Sequence, residues 1–214
     1  MKIKTIENLE DALDKHLAWR VQEMLNLKVL IDKGDNACIT LIRAGIALLC
    51  AHFEGFIKDA SYDYLSFVAS QNVCYKDLQE VFSVMKIHSR IEECAKSSKH
   101  SVQAKILKEY DGLSTEIFHI KDKSIIDTHS NPSSDILKEL LLSLGLETDI
   151  FKTKANYIDR SLLANRHRIV HGERITLEYK DFFSTFNVIM KILNEYRDFL
   201  IDAAAEGLYK KQVH

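Results

Sequence analysis

Ten residues of this chain, Asn165 to Arg174, read NRHRIVHGER and gather three arginines, two histidines and one glutamate around the apolar pair Ile169–Val170. An arginine beside an imidazole is a suitable pair for breaking a phosphodiester. Histidine can take a proton from a ribose 2′-hydroxyl, or give one to the leaving oxygen, near neutral pH. A guanidinium can hold two non-bridging oxygens and stabilise the charge of the transition state. Arg166 and His171 are the candidates for these roles, with His167 as a supporting polar group. Cleavage by this route needs the RNA 2′-hydroxyl, and neither metal nor cofactor.

On a regular helix, Arg166 and His171 stand about 140° apart around the axis and share no face. Gly172 offers the resolution, because a glycine there is a natural helix end. His171 can then sit at the terminus and turn its ring back towards Arg166. His167 and His171 also have the i,i+4 spacing of metal ligands, with Glu173 as a possible third. No further histidine or cysteine lies nearby, and the glutamate that metalloproteases place after the first histidine is missing, so no metal site is expected.

Around the motif, Lys152, Lys154, Arg160, Arg166, Arg168 and Arg174 face only Asp159 and Glu173, a net charge of +4. Such a patch can hold a phosphate backbone, and Lys152, Lys154, Arg160, Arg168 and Arg174 are the candidate RNA contacts. The plainer reading is a solvated helix face. The aromatic run DFFSTF could be a base-stacking platform, but Phe182 and Phe186 are at helical spacing and read as core. YDYL, at Tyr62–Leu65, can offer a hydroxyl or pack at an interface. No phosphate loop or nucleophile elbow is present.

The elements that must position these residues are helices. The chain of 214 residues is 46% hydrophobic and 28% charged, with one proline and seven glycines, too little punctuation for a sheet protein. Thr5 can cap a first helix that is apolar at Ile6, Leu9, Leu13, Leu17, Val21 and Met24. Gly34 closes it, and Asp35 or Asn36 caps a second helix from about Ala37 to Ser70. Further helices are expected over Asp77–Lys96, Ser101–Tyr110, SSDILKELLLSLGLE, Thr153–Val170 and Leu177–Ala205. Residues 117–126 form either a short hairpin or an ordered loop. The predicted fold is all-α: one up-and-down helical bundle over residues 1–214, with residues 72–150 as an elaboration within it.

The second helix is long enough to span a membrane, but Arg43, His52 and Glu54 would each be costly in lipid, so it is expected at the centre of the bundle. Cys38, Cys50, Cys74 and Cys94 have no C-x-x-C spacing and read as reduced thiols of a cytosolic protein. Arg43, Ala47, Cys50 and Glu54 form one stripe on that helix. Ionisable groups on an apolar helix must find partners or line a polar cleft. Glu54 is therefore expected to face the motif helix and orient Arg166 or His171, or else to form a structural ion pair with another helix.

RHRIVHGE combines an Arg–polar pair, two aliphatics before the histidine, and Gly and an acid after it, ahead of a final long helix. It resembles, at its shortest spacing, the motif of the HEPN superfamily, which includes many prokaryotic ribonucleases. LIRAGIALLCAHFEGFIKDASYDYL is similar to the central helix of stand-alone HEPN-like nucleases. The resemblance implies catalytic Arg166 and His171, with His167 at the polar motif position. It also implies an RNA substrate and a homodimer whose two motifs line one cleft. A toxin–antitoxin or phage-defence setting with a controlling partner protein is part of the same expectation. Glu173 departs from the pattern, standing where some HEPN toxins carry a modifiable tyrosine. The alternative is a non-catalytic module of the same type that binds RNA, a nucleotide or a protein.

Overall fold

The computed structural model describes residues 3–32, 38–121, 123–128 and 131–211. Among these residues seven α-helices follow one another: α1 (Ile6–Asp32), α2 (Cys38–Ser70), α3 (Glu80–Ala95), α4 (His100–Leu113), α5 (Ser134–Ser143), α6 (Ala164–Val170) and α7 (Tyr179–Glu206). Short 3-10 helices lie at Tyr75–Asp77, Lys123–Ile125 and Asp149–Lys154, and a π-helical turn spans Tyr157–Leu163. The described residues hold no strand, only the isolated bridges Cys74–Ile117 and Leu78–Lys210. The all-α expectation holds. Gly34, Asp35, Asn36 and the side chain of Cys38 lie outside the described residues, as do His129 and His214.

The three long helices pack on one another and carry the core. In α1, Thr5 accepts the N–H of Asn8 at 3.2 Å, the capping bond expected of it. Leu9, Leu13, Leu17 and Met24 are buried, whereas Ile6 lies at the surface. Arg20 shares the buried face, which apolar periodicity could not reveal. Its Nη2 meets Asp59 Oδ2 of α2 at 2.6 Å and its Nη1 donates to the carbonyl of His16 at 2.6 Å, so the charge is buried with its partner.

By length and composition alone, Ile39–Ser70 could cross a membrane. In the fold it is the central helix, flanked by α1, α6 and α7. Gly45 admits α7 closely: a Cβ there would stand 2.7 Å from Phe182 Cε2. Phe182, Phe186, Ile189, Leu193, Tyr196 and Leu200 of α7 are all buried, as their spacing predicts. A reciprocal capping box of Glu178 and Asp181 starts α7, and Gly207, at φ +68°, ends it. Tyr64 and Leu65 of the YDYL stretch are core residues.

Of the two alternatives for residues 117–126, the described ones take the loop: Phe118 N–H donates to Val73 O at 3.0 Å, and Lys123–Ile125 curls into a 3-10 helix. One expectation is corrected: Thr153–Val170 is not one regular helix. It passes from 3-10 through π to α geometry.

Candidate active site

α6 is only two turns long, and its end is built by glycine. Gly172 adopts φ +74°. Its N–H donates to Ile169 O at 3.1 Å, and Glu173 N–H donates to Arg168 O at 2.9 Å. These are the paired 5→2 and 6→1 bonds of a Schellman end, with His171 as the cap residue. The helix thus stops where the sequence predicts, and His171 hangs at its exposed edge. Its ring lies 4.3 Å from that of His167, tilted by 53°.

Arg166 occupies another side of α6. It is half-buried, because α6 packs on α2. Its charge is felt by the Cys50 thiol, which burial pushes up to about 11, with Arg166 pulling down and Glu54 pushing up. Cys50, Glu54 and Arg166 therefore share one neighbourhood. Among the described residues Arg166 makes no hydrogen bond or ion pair, leaving its guanidinium donors available to a ligand.

The stripe on α2 faces this region along its length. Arg43 Nη1 donates to the carbonyls of Glu173, at 2.9 Å, and Ile175, at 3.4 Å, tying the central helix to the chain just past the motif. An open hollow of about 380 Å³ lies between Ile39 and Arg43 on one side and residues 172–176 on the other. Glu54 accepts from Lys58 Nζ at 2.8 Å and from Thr128 Oγ1 at 2.7 Å. Its described bonds therefore run to its own helix and to the segment between α4 and α5, rather than to Arg166 or His171.

The basic patch is partly neutralised. Arg168 pairs with Glu173 at 2.8 Å, Lys152 with Asp149 at 3.3 Å, and Lys154 with Glu195. Arg160 and Arg174 are exposed and have no described ion pair. No group of three or more His, Cys, Asp or Glu residues among the described residues has the arrangement of a metal site. Among the described residues the arrangement is an unpaired guanidinium on the α2 side of a short helix, two exposed imidazoles at its end, and two cations without an ion pair, Arg160 and Arg174. The guanidinium is suited to a phosphate and the imidazoles to a hydroxyl proton, but the His171 ring packs against His167 instead of turning back to Arg166 as the sequence suggests.

The sequence profile of the family described as RiboL-PSP-HEPN matches residues 15–202. The chain belongs to this family. The match runs from within α1 nearly to the end of α7, so RiboL-PSP-HEPN membership covers the long helices, α3 to α5 and the motif alike. No curated protein and no solved structure matches the chain significantly. Thr128, which bonds Glu54, and Ser134 and Asp159, which bond each other, have no signal in the sequence of this HEPN chain. They are single polar residues without periodicity or motif.

Proposed function

We propose that the chain is a metal-independent endoribonuclease. His171 exchanges the proton and Arg166 holds the scissile phosphate. The ribose 2′-oxygen attacks phosphorus while the bond to the 5′-oxygen breaks. One imidazole takes the hydroxyl proton or returns one to the leaving oxygen. Arg166 meets the charge that builds on the non-bridging oxygens.

The observation that carries this reading is the unpaired, half-buried Arg166 on the same short helix that presents His171 at its glycine-closed end. Arg160 and Arg174 give the RNA backbone additional cations, while Arg168, Lys152 and Lys154 reach it from within their ion pairs. The HEPN resemblance supports a homodimer that brings two such helices together, in a toxin–antitoxin or phage-defence setting with a partner protein.

The test is cleavage of mixed cellular RNA by the purified protein in EDTA, beside an Arg166→Ala/His171→Ala double variant. Cleavage by the wild type and silence from the folded variant is the expected result. Cleavage that needs an added divalent ion would replace the reading with metal-dependent chemistry. Binding of RNA without cleavage would favour a non-catalytic module.

A further inference from the structure

Three carboxylates of the bundle each accept a bond from one short stretch between α4 and the first residue of α5. Lys123 Nζ reaches Asp59, Thr128 Oγ1 donates to Glu54 at 2.7 Å, and Ser134 donates to Asp159 through both its backbone N–H (2.9 Å) and its hydroxyl (2.5 Å). Asp59 and Glu54 lie on α2, and Asp159 lies in the π-helical turn just before α6. Lys123, Thr128 and Ser134 are therefore fastened across α2 and the entry to the motif helix. Thr128 is fully buried, and Glu54 is partly so.

Asp159 is held by both its side chain and its backbone. The carboxylate takes the Ser134 bonds at the start of α5, while its carbonyl accepts the N–H of Ala164, an i→i+5 bond that closes the π turn. A π turn contains one more residue than the α turn it replaces. Regular α geometry over the same residues would turn everything downstream by about 100° around the axis. Such a rotation would carry Arg166 away from Cys50 and Glu54.

We infer that Asp159 is a positioning residue for Arg166: fastened to Ser134, it holds the π turn whose extra residue sets the rotation of α6. This gives the chain between α4 and the start of α5 a role in the site without contact with substrate. In its activity readout the inference rests on the ribonuclease reading above, but its structural readout does not.

The experiment compares Asp159→Ala, Asp159→Asn and Ser134→Ala with the wild type, by RNA cleavage kinetics and by crystal structure. Asparagine keeps both bonds, its carbonyl accepting the Ser134 N–H and its amide donating to the hydroxyl. Asp159→Asn should therefore rescue, with kcat within about threefold of wild type, whereas Asp159→Ala should lose about tenfold or more in kcat with KM moving less than about threefold, as misplacement of a transition-state ligand does. In the Asp159→Ala crystal, Ala164 N–H should bond to Arg160 O in place of Asp159 O.

An intact π turn in Asp159→Ala, or undiminished kcat, overturns the inference. So does an Asp159→Asn loss as deep as that of Asp159→Ala, which would mean that the charge itself is needed. Should Asp159→Ala fail to fold, Ser134→Ala decides. A fall in kcat beside normal Asp159→Asn supports the inference, and full activity with an intact turn ends it. Should the wild type cleave no RNA, the ribonuclease reading falls alone and the crystal structures judge the positioning role.

Discussion

The imidazoles of His167 and His171 lie 4.3 Å apart across the closing turn of α6, and both are exposed. Either ring can be reached by a substrate, but only His171 sits at the cap, beyond the last helical residue.

His171→Ala is expected to lower kcat by about 10²–10⁴, the usual contribution of a general acid or base. His167→Ala should cost about tenfold at most, as a supporting hydrogen-bonding group does. Single-turnover cleavage by the two variants, with and without EDTA, measures both. An equal loss from each, restored by added zinc, would make the pair metal ligands.

Gly172 stands at φ +74° with open space where a Cβ would go. Substitution therefore strains the backbone without a clash. Gly172→Ala should cost about 1–2 kcal/mol and lower the melting temperature by about 2–4 °C per kcal/mol for a chain of this size. Gly172→Asn should lose less, since asparagine tolerates the left-handed conformation. Thermal melts that rank the two variants the other way would refute the Schellman end as the reason for this glycine.

Arg43 is the tie between the central helix and the chain after the motif. Arg43→Ala removes charge-assisted bonds to two carbonyls, one of them exposed, and should destabilise by about 1–2 kcal/mol. Activity should fall further than that loss of folded protein explains, because the segment following His171 loses its anchor. Denaturant midpoints set against kcat at a temperature where both proteins are folded separate the two effects. Unchanged kcat would leave Arg43 a purely structural residue.

His52 is buried, with Nε2 2.8 Å from Glu23 Oε2 and its ring edge-on to Trp19. Burial depresses its pKa below the ordinary 6.5, and Glu23 offsets this only in part. The unfolded chain then binds the proton more readily than the folded one. The His52 contribution to stability is therefore complete above pH 6.5 and lost progressively as the pH falls below it. In melts between pH 7 and about 5, His52→Gln should show a shallower acid-side decline than the wild type. A steeper decline in the variant would contradict this sign.

The sequence by itself determined the elements and the ends of the motif. Periods of three and four residues place the core faces of α1 and α7, Thr5 caps the first helix, and Gly172 closes α6, because each is a local preference of backbone or side chain. The stripe of Arg43, Cys50 and Glu54 was legible for the same reason, since its spacing follows from helix geometry alone. What the stripe would meet was not. Glu54 binds Thr128, Asp59 binds Lys123 and Asp159 binds Ser134 across tens of residues of chain. No local pattern encodes such pairings. The same holds for Arg20, whose charge reads as surface until Asp59 is seen opposite it. The π turn is the clearest case. Regular helix is the local default over Tyr157–Leu163, and only the tertiary bond from Ser134 to Asp159 gives a reason for the extra residue that turns Arg166 towards α2.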